Sequence, residues 1–262
     1  MLSLDRQRRL LQLVRTNGYG NVVELADILG VSPSTVRRDL RHMDQRGLLA
    51  RVHGGASVLD AVTEPLLVSR AAERSEQKRR IGQAAASRVP SGSTILITGG
   101  TTTEAMLPFL AGSERLTVLT NGLNIAYHLA RYPEISVVVL GGVLRHDEMS
   151  LLGPIAEQVL AEFRVDVAFS SAFGICADDG MSGANVAEAG TDRRMLAAAD
   201  SLILLADGSK FDRKGPVRLA SVEQIDCVIT DHTAPSESLK ELSRRGVEVV
   251  VCDDDRKGSK RQ

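Results

Sequence analysis

Tryptophan is absent from this 262-residue chain, and aromatic residues make up 3% of it. That scarcity argues against a protein that stacks unpaired bases on aromatic rings to hold single-stranded nucleic acid. Cysteine is scarce too: Cys176, Cys227 and Cys252 are odd in number, far apart and without metal-ligand spacing. They are expected to be reduced core thiols of a cytoplasmic protein, not a disulfide framework or a zinc site. No apolar run approaches the roughly 18–20 residues that span a bilayer, and Met1 to Arg15 is charged throughout, unlike a signal peptide. No membrane partner is expected. A Walker A pattern, a complete dinucleotide fingerprint and a metal-binding cluster are also missing, so neither cofactor nor metal is expected.

Lysine is missing from the first 56 residues, which hold nine Arg and five Asp or Glu, a net +4; the chain's overall −1 leaves −5 for the remainder. A basic head on an acidic body suits a phosphate-facing module. Within it, Ser32 can accept from the amides of a first helical turn, and Pro33 suits the first helical position. Val36, Leu40 and Met43 follow as an apolar stripe, while Ser34, Arg37, Arg38 and Arg41 fall on another face. Hydroxyls and guanidiniums displayed in this way can meet phosphates and guanine edges in a major groove.

Leu10, Leu13 and Val14 form one face of a preceding helix that ends at Asn17-Gly18. Val22, Leu25, Ala26 and Leu29 form a second helix stopped by Gly30. The short turn that follows is the spacing of a helix-turn-helix. After Gly47 the pattern reads as a strand, a basic tip with Arg51 and His53, and a turn, which predicts a wing. A Ser-Pro cap before Arg-Arg-Asp also suits an ordinary solvated helix; three helices and a wing in this order favour DNA. The expected DNA contacts are Ser34, Thr35, Arg37, Arg38, Arg41, Arg51 and His53.

The expected division is residues 1–56 for the winged helix-turn-helix, 57–72 for a linker, 73–252 for a larger domain and 253–262 for a disordered tail. A charged run from Arg70 to Arg80 leads into a helix through about Arg88. Beyond it, apolar strands at Thr94–Thr98, Leu116–Thr120, Ile135–Gly141, Val165–Ser170, Ser201–Ala206, Asp226–Thr230 and Val247–Cys252 alternate with helices near 102–111, 123–131, 154–162, 186–199 and 236–245. Strands of continuous Val, Ile and Leu separated by helices predict a Rossmann-like α/β domain with a mainly parallel sheet covered on both faces.

Ligands of such sheets sit beyond the carboxyl ends of the strands. There the chain places Gly99, Gly100, Thr101, Thr102 and Thr103, then Asn121, then Gly142 with Arg145, and finally Lys210. Glycines let the backbone approach an anion, and amides and hydroxyls can bind phosphate. Asp178, in the loop at 174–185, is placed to close over hydroxyls. Together these residues predict a small phosphorylated, hydroxyl-rich ligand.

Val36-Arg37-Arg38-Asp39-Leu40 and Gly47-Leu48-Leu49-Ala50-Arg51-Val52-His53-Gly54-Gly55-Ala56 resemble the signature of DeoR-type (DeoR/GlpR-like) transcriptional regulators. Gly100-Thr101-Thr102-Thr103, Thr120-Asn121, Leu140-Gly141-Gly142 and Leu205-Ala206-Asp207-Gly208-Ser209-Lys210-Phe211 resemble their sensor domain, and the match runs from about residue 3 to 232. The resemblance implies a bacterial repressor of sugar-metabolism genes, with a sensor like ribose-5-phosphate isomerase in fold that binds a phosphorylated sugar. Three places depart from the family: Thr98 stands where an acid is common, Asp192 where a base is common, and Ser170-Ser171 where many relatives have glycine. The expectation is a non-enzymatic, sequence-specific regulator that binds double-stranded operator DNA as a homo-oligomer, dimer or tetramer. The alternatives are a sugar-phosphate isomerase-like enzyme and a regulator whose second domain only oligomerises.

Overall fold

A computed structural model of the chain describes residues 3–17, 19–45, 49–52, 54–57 and 67–252. The chain divides into two compact units, Met1–Leu66 and Leu67–Gln262.

The first unit runs α1 (Ser3–Asn17), β1 (Tyr19–Asn21), α2 (Val22–Leu29), α3 (Pro33–Gln45), β2 (Ala50–Val52) and β3 (Gly55–Ser57). Each boundary has a local cause. The Asn21 side chain accepts from the Val23 amide at the start of α2, and Gly30 closes that helix at φ 63°, where a side chain would be strained. Ser32 Oγ accepts from the Thr35 amide at 3.2 Å, and Pro33 opens α3. Leu10, Val14, Leu25, Leu29, Val36, Leu40 and Met43 pack one core, each side chain contributing about 1.5–3 kcal/mol by burial. The sheet order is β1-β3-β2, all antiparallel. The hairpin of β2 and β3 is the expected wing; β1, its third strand, is too short to leave a pattern.

The second unit continues with α4 (Leu67–Ala72), α5 (Ser75–Ala86), β4 (Thr94–Ile97), α6 (Thr101–Glu104), β5 (Thr117–Thr120), α7 (Leu123–Leu129), β6 (Ser136–Val139), β7 (Val143–Arg145), β8 (Ser150–Leu152), α8 (Pro154–Ala161) and β9 (Val165–Ser170). It ends with β10 (Gly174–Cys176), β11 (Gly180–Gly183), α9 (Ala189–Ala197), β12 (Ala199–Leu205), β13 (Val217–Ala220), β14 (Cys227–Asp231), α10 (Ser236–Arg244) and β15 (Glu248–Cys252). Seven strands form a parallel sheet in the order β15-β14-β12-β9-β4-β5-β6. Strand residues alternate between two cores. Ile95, Ile97, Val118 and Phe169 face α5 and α7, whereas Leu96, Leu119 and Ala168 share a core with residues of α8, α9 and α10. The unit is thus a three-layer α/β fold.

Three expectations need correction. The helix near 102–111 is one turn of α6 followed by a 3-10 turn at Leu107–Leu110, because Pro108 cannot continue an α-helix. Of the linker at 57–72, Ser57 ends β3 and Leu67–Ala72 form α4, while 58–66 lie outside the described residues. The antiparallel pieces, the β7–β8 hairpin and the β10-β11-β13 sheet, were not predicted. Their three- and four-residue strands are too short for periodicity to register. Residues 253–262, expected as a disordered tail, also lie outside the described residues.

Candidate functional site

Two surfaces emerge, one in each unit. On α3, Val36, Leu40 and Met43 are buried, whereas Ser34, Arg37, Arg38 and Arg41 are exposed on the opposite side. Ser32 Oγ lies 2.8 Å from Ser34 Oγ and 2.9 Å from Thr35 Oγ1, so the hydroxyls of the first turn form one cluster. Thr35 is partly buried. The acid between these arginines turns inward. Asp39 is 5% exposed and accepts from Arg6 Nε at 2.6 Å and from Gln7 Nε2 at 3.3 Å, which ties α3 to α1. Its hydrogen bond raises the Arg6 pKa above its ordinary value. Arg51 sits on β2, and His53 lies outside the described residues.

In the second unit the chain after β4 builds β5 and β6 on one side, while β9, β12, β14 and β15 extend the sheet on the other. The carboxyl ends of β4 and β9 therefore adjoin at the topological switch point, where open α/β sheets bind ligands. Thr98 Oγ1 and Ser170 Oγ meet across it at 3.0 Å. Gly100 has φ 152°, and a Cβ there would stand 2.2 Å from Ser171 Oγ, so this position requires glycine. Thr101, Thr102 and Thr103 are buried. Thr103 Oγ1 donates within the turn, with Thr98 O at 2.8 Å and Gly100 O at 2.9 Å.

The β7–β8 hairpin lies over these strand ends. Asn121 is the rivet: its Oδ1 accepts from the Gly99 amide at 3.1 Å, its carbonyl accepts from the Leu151 amide, and its Nδ2 donates to Leu151 O. Gly142 permits the hairpin to close, since a Cβ there would lie 2.4 Å from Leu152 O. Arg145 pairs with Glu188. Asp207 Oδ1 accepts from the Ser209 amide at 3.0 Å and shapes the turn Gly208–Lys210 that presents Lys210.

Of the predicted ligand residues, Gly99, Gly100, Thr101, Thr102, Thr103 and Asn121 stand together at the strand ends. Gly142 and Arg145 belong to the covering hairpin, and Lys210 to the turn after β12. Asp178 does not join them. It is exposed on the β10–β11 turn, 3.5 Å from Arg245, beside the loop that enters β15.

Two residues that the sequence reading passed over matter most. Lys78 on α5 is 5% exposed, and its Nζ donates to the Arg70 carbonyl. Burial lowers its pKa; Asp207 opposes that shift, and Lys210 and Arg70 add to it. Lys78, Ser75 and Ala71 line a cleft of about 310 Å³ with Thr101 and Glu104 of α6 and with His128, Arg131 and Tyr132 at the end of α7. Asn121, Arg145 and Lys210 do not line it. Arg70, itself buried, makes a bidentate ion pair with buried Glu148 in the hairpin turn. A buried ammonium beside a glycine-threonine turn, with Lys210 in its field, is equipped to hold an anion.

Asp192, partly buried on α9, carries a second perturbation. Burial pushes its carboxyl from 3.8 up to about 7; Glu188 and Glu148 add to the rise, and Arg145 and Arg193 oppose it. The folded chain thus keeps a proton that the unfolded chain gives up near pH 4, and this group lowers stability as pH rises from there to about 7. Asp192→Asn is expected to stabilise the second unit at pH 8 by at most ~4 kcal/mol (about 1.4 per pK unit). Near pH 4 the two proteins should melt together. Equal gains at both pH values in a melting series would rule this out.

Residues 6–62 match the model of the DeoR-like helix-turn-helix domain, and residues 73–232 that of the DeoR C-terminal sensor domain. The chain is 35% identical over 250 residues to the HTH-type transcriptional repressor CsqR of Escherichia coli strain K12, covering 95% of this chain and 96% of that protein. It is 30% identical over 252 residues to the glycerol-3-phosphate regulon repressor of the same strain, covering 96% and 100%. Among solved structures, ribose 5-phosphate isomerase A of Methanocaldococcus jannaschii matches 53% of this chain and 55% of its own, at 17% identity and a TM-score of 0.40.

Proposed function

The chain belongs to the DeoR family of DNA-binding transcriptional regulators, and on that premise we propose that it represses genes of sugar or polyol metabolism until a phosphorylated sugar or polyol binds its second unit. Ser34, Thr35, Arg37, Arg38 and Arg41 on α3 meet operator phosphates and base edges, with Arg51 and His53 touching the flanking backbone. A single module of this size covers few base pairs, so the protein acts in the cytoplasm as a dimer or tetramer on paired half-sites.

One observation carries the ligand half of this reading. Lys78 is buried on α5, shares a cleft with Thr101 of the threonine turn and stands in the field of Lys210 and Asp207. Lys78 and Lys210 hold the phosphate, with the Gly99–Thr103 turn supplying amides and hydroxyls. Asn121, Gly142 and Arg145 shape the wall of the crevice. Asp178 is left out of the site.

The test is a footprint of the purified protein on DNA upstream of its own gene, with ribose 5-phosphate, glycerol 3-phosphate and glucose 6-phosphate added in turn. One of them is expected to release the footprint and to raise the melting temperature with concentration, as a ligand of the folded state must. Lys78→Met is expected to abolish both responses and to keep the footprint. A thermal response unchanged in Lys78→Met would remove Lys78 from the site.

A second reading, an isomerase, has one observation in its favour: a carboxyl near pKa 7, Asp192, suits a general base. Turnover of ribose 5-phosphate by the purified chain would establish it. The regulator reading expects none.

A further inference from the structure

Helix α4 is the element of the second unit next in sequence to the DNA-binding unit, and it does not hold itself. At six residues it is far below the length at which an isolated helix persists. Ala71 and Ala72 are exposed, and Leu67 is only partly buried. Among its described side chains Arg70 is the buried one, and it is gripped at both ends. The guanidinium is clamped by Glu148 of the β7–β8 turn, and the main-chain carbonyl accepts from Lys78 Nζ. That carbonyl lies in the last turn of the helix, and the ammonium caps it there.

The joint after α4 is also unusual. Arg74 adopts φ 52°, a left-handed conformation costly for a residue with a side chain. It is held there from the same cluster of charge: its Nε lies 3.7 Å from Asp207 Oδ1, and its Nη1 donates to Thr233 Oγ1 at 3.1 Å. Asp207 in turn contributes to the field at Lys78. The supports of α4 on this side are therefore Lys78 itself and a carboxylate in its field. Ala71 of α4 lines that cleft together with Lys78 and Thr101.

We propose that α4 transmits ligand binding: an anion held at the Thr98–Thr103 turn draws Lys78 away from the Arg70 carbonyl, and α4 loosens at its carboxyl end while the Glu148 clamp keeps it attached. Ligand and helix compete for one ammonium. This inference rests on the anion site described above. It adds that Lys78 is shared between ligand and helix, and that the Arg70–Glu148 pair sets how firmly α4 is held without ligand.

Hydrogen exchange on the full-length protein, with and without saturating inorganic phosphate, tests the coupling. Phosphate is expected to slow exchange at the Thr101–Thr103 amides and to speed it roughly tenfold in α4, as loss of one hydrogen bond to a charged group implies. In the variant Glu148→Ala, which removes one partner of the buried pair and so the clamp on the Arg70 guanidinium, α4 is expected to exchange fast without phosphate. The threonine turn should still be protected when phosphate is added. Protection at the turn with α4 unchanged would overturn the coupling and leave the anion site standing. No protection anywhere would overturn the site, and the coupling with it.

Discussion

Arg38→Ala is expected to weaken operator binding by about five- to 150-fold, the ~1–3 kcal/mol of one bidentate base contact, with the first unit still folded. The side chain is exposed on the face of α3 opposite Val36 and Leu40, so its removal opens no cavity. Salt titration then separates two roles for the arginine. If it meets a phosphate, affinity falls about equally for every sequence, and the slope of log affinity against log salt drops by about one. If it reads a base, discrimination at one operator position collapses and the slope is nearly kept. Loss of helical signal in the variant would instead make Arg38 a structural residue.

Asp39→Ala, one position along, should abolish DNA binding for the opposite reason. Its carboxylate is buried against Arg6 and Gln7. Removing one partner of a buried pair costs about 3–5 kcal/mol, and a module of some 60 residues has little more than that to lose. The expected result is a first unit that is cleaved readily by protease while the second resists. Arg6→Met combined with Asp39→Leu should recover much of the resistance, since apolar groups can replace a buried ion pair. A single Asp39→Ala variant as protease-resistant as the parent would show that the α1–α3 tie carries little stability.

The fold was legible wherever burial imposes a repeat. The seven sheet strands announce themselves as Val, Ile and Leu runs, and Ser32-Pro33 and Gly30 mark helix ends through backbone chemistry that acts locally. The three- and four-residue strands β1, β7, β8, β10, β11 and β13 left no pattern, because two alternations or fewer do not distinguish a strand from a loop. Lys78 and Arg70 were hidden in a charged run that resembles a solvated face. A signal was nevertheless present: Lys78 precedes Ile81, Gly82 and Ala85 by three, four and seven residues, so it lies on the buried stripe of α5. Asp39 stands in the same relation to Val36 and Met43. A charge on an apolar stripe marks a buried partner, and the sequence does not say which partner. Asp178 shows the converse, since a loop rich in Asp and Gly suggests a binding lid until the β10–β11 pairing turns it toward Arg245.

Strand β1, inserted between α1 and α2, pairs with β3 of the wing, and the Val22 amide that opens α2 donates to Gly54 O in the wing's turn at 2.9 Å. The wing is thereby tied to the helix pair through the backbone on that side. On a duplex, a reader tied in this way has one stride: the offset between what α3 touches in the major groove and what the wing touches beside it is fixed before contact. Inserting a single base pair between those two contacts in an operator half-site should therefore be as damaging as changing the bases themselves.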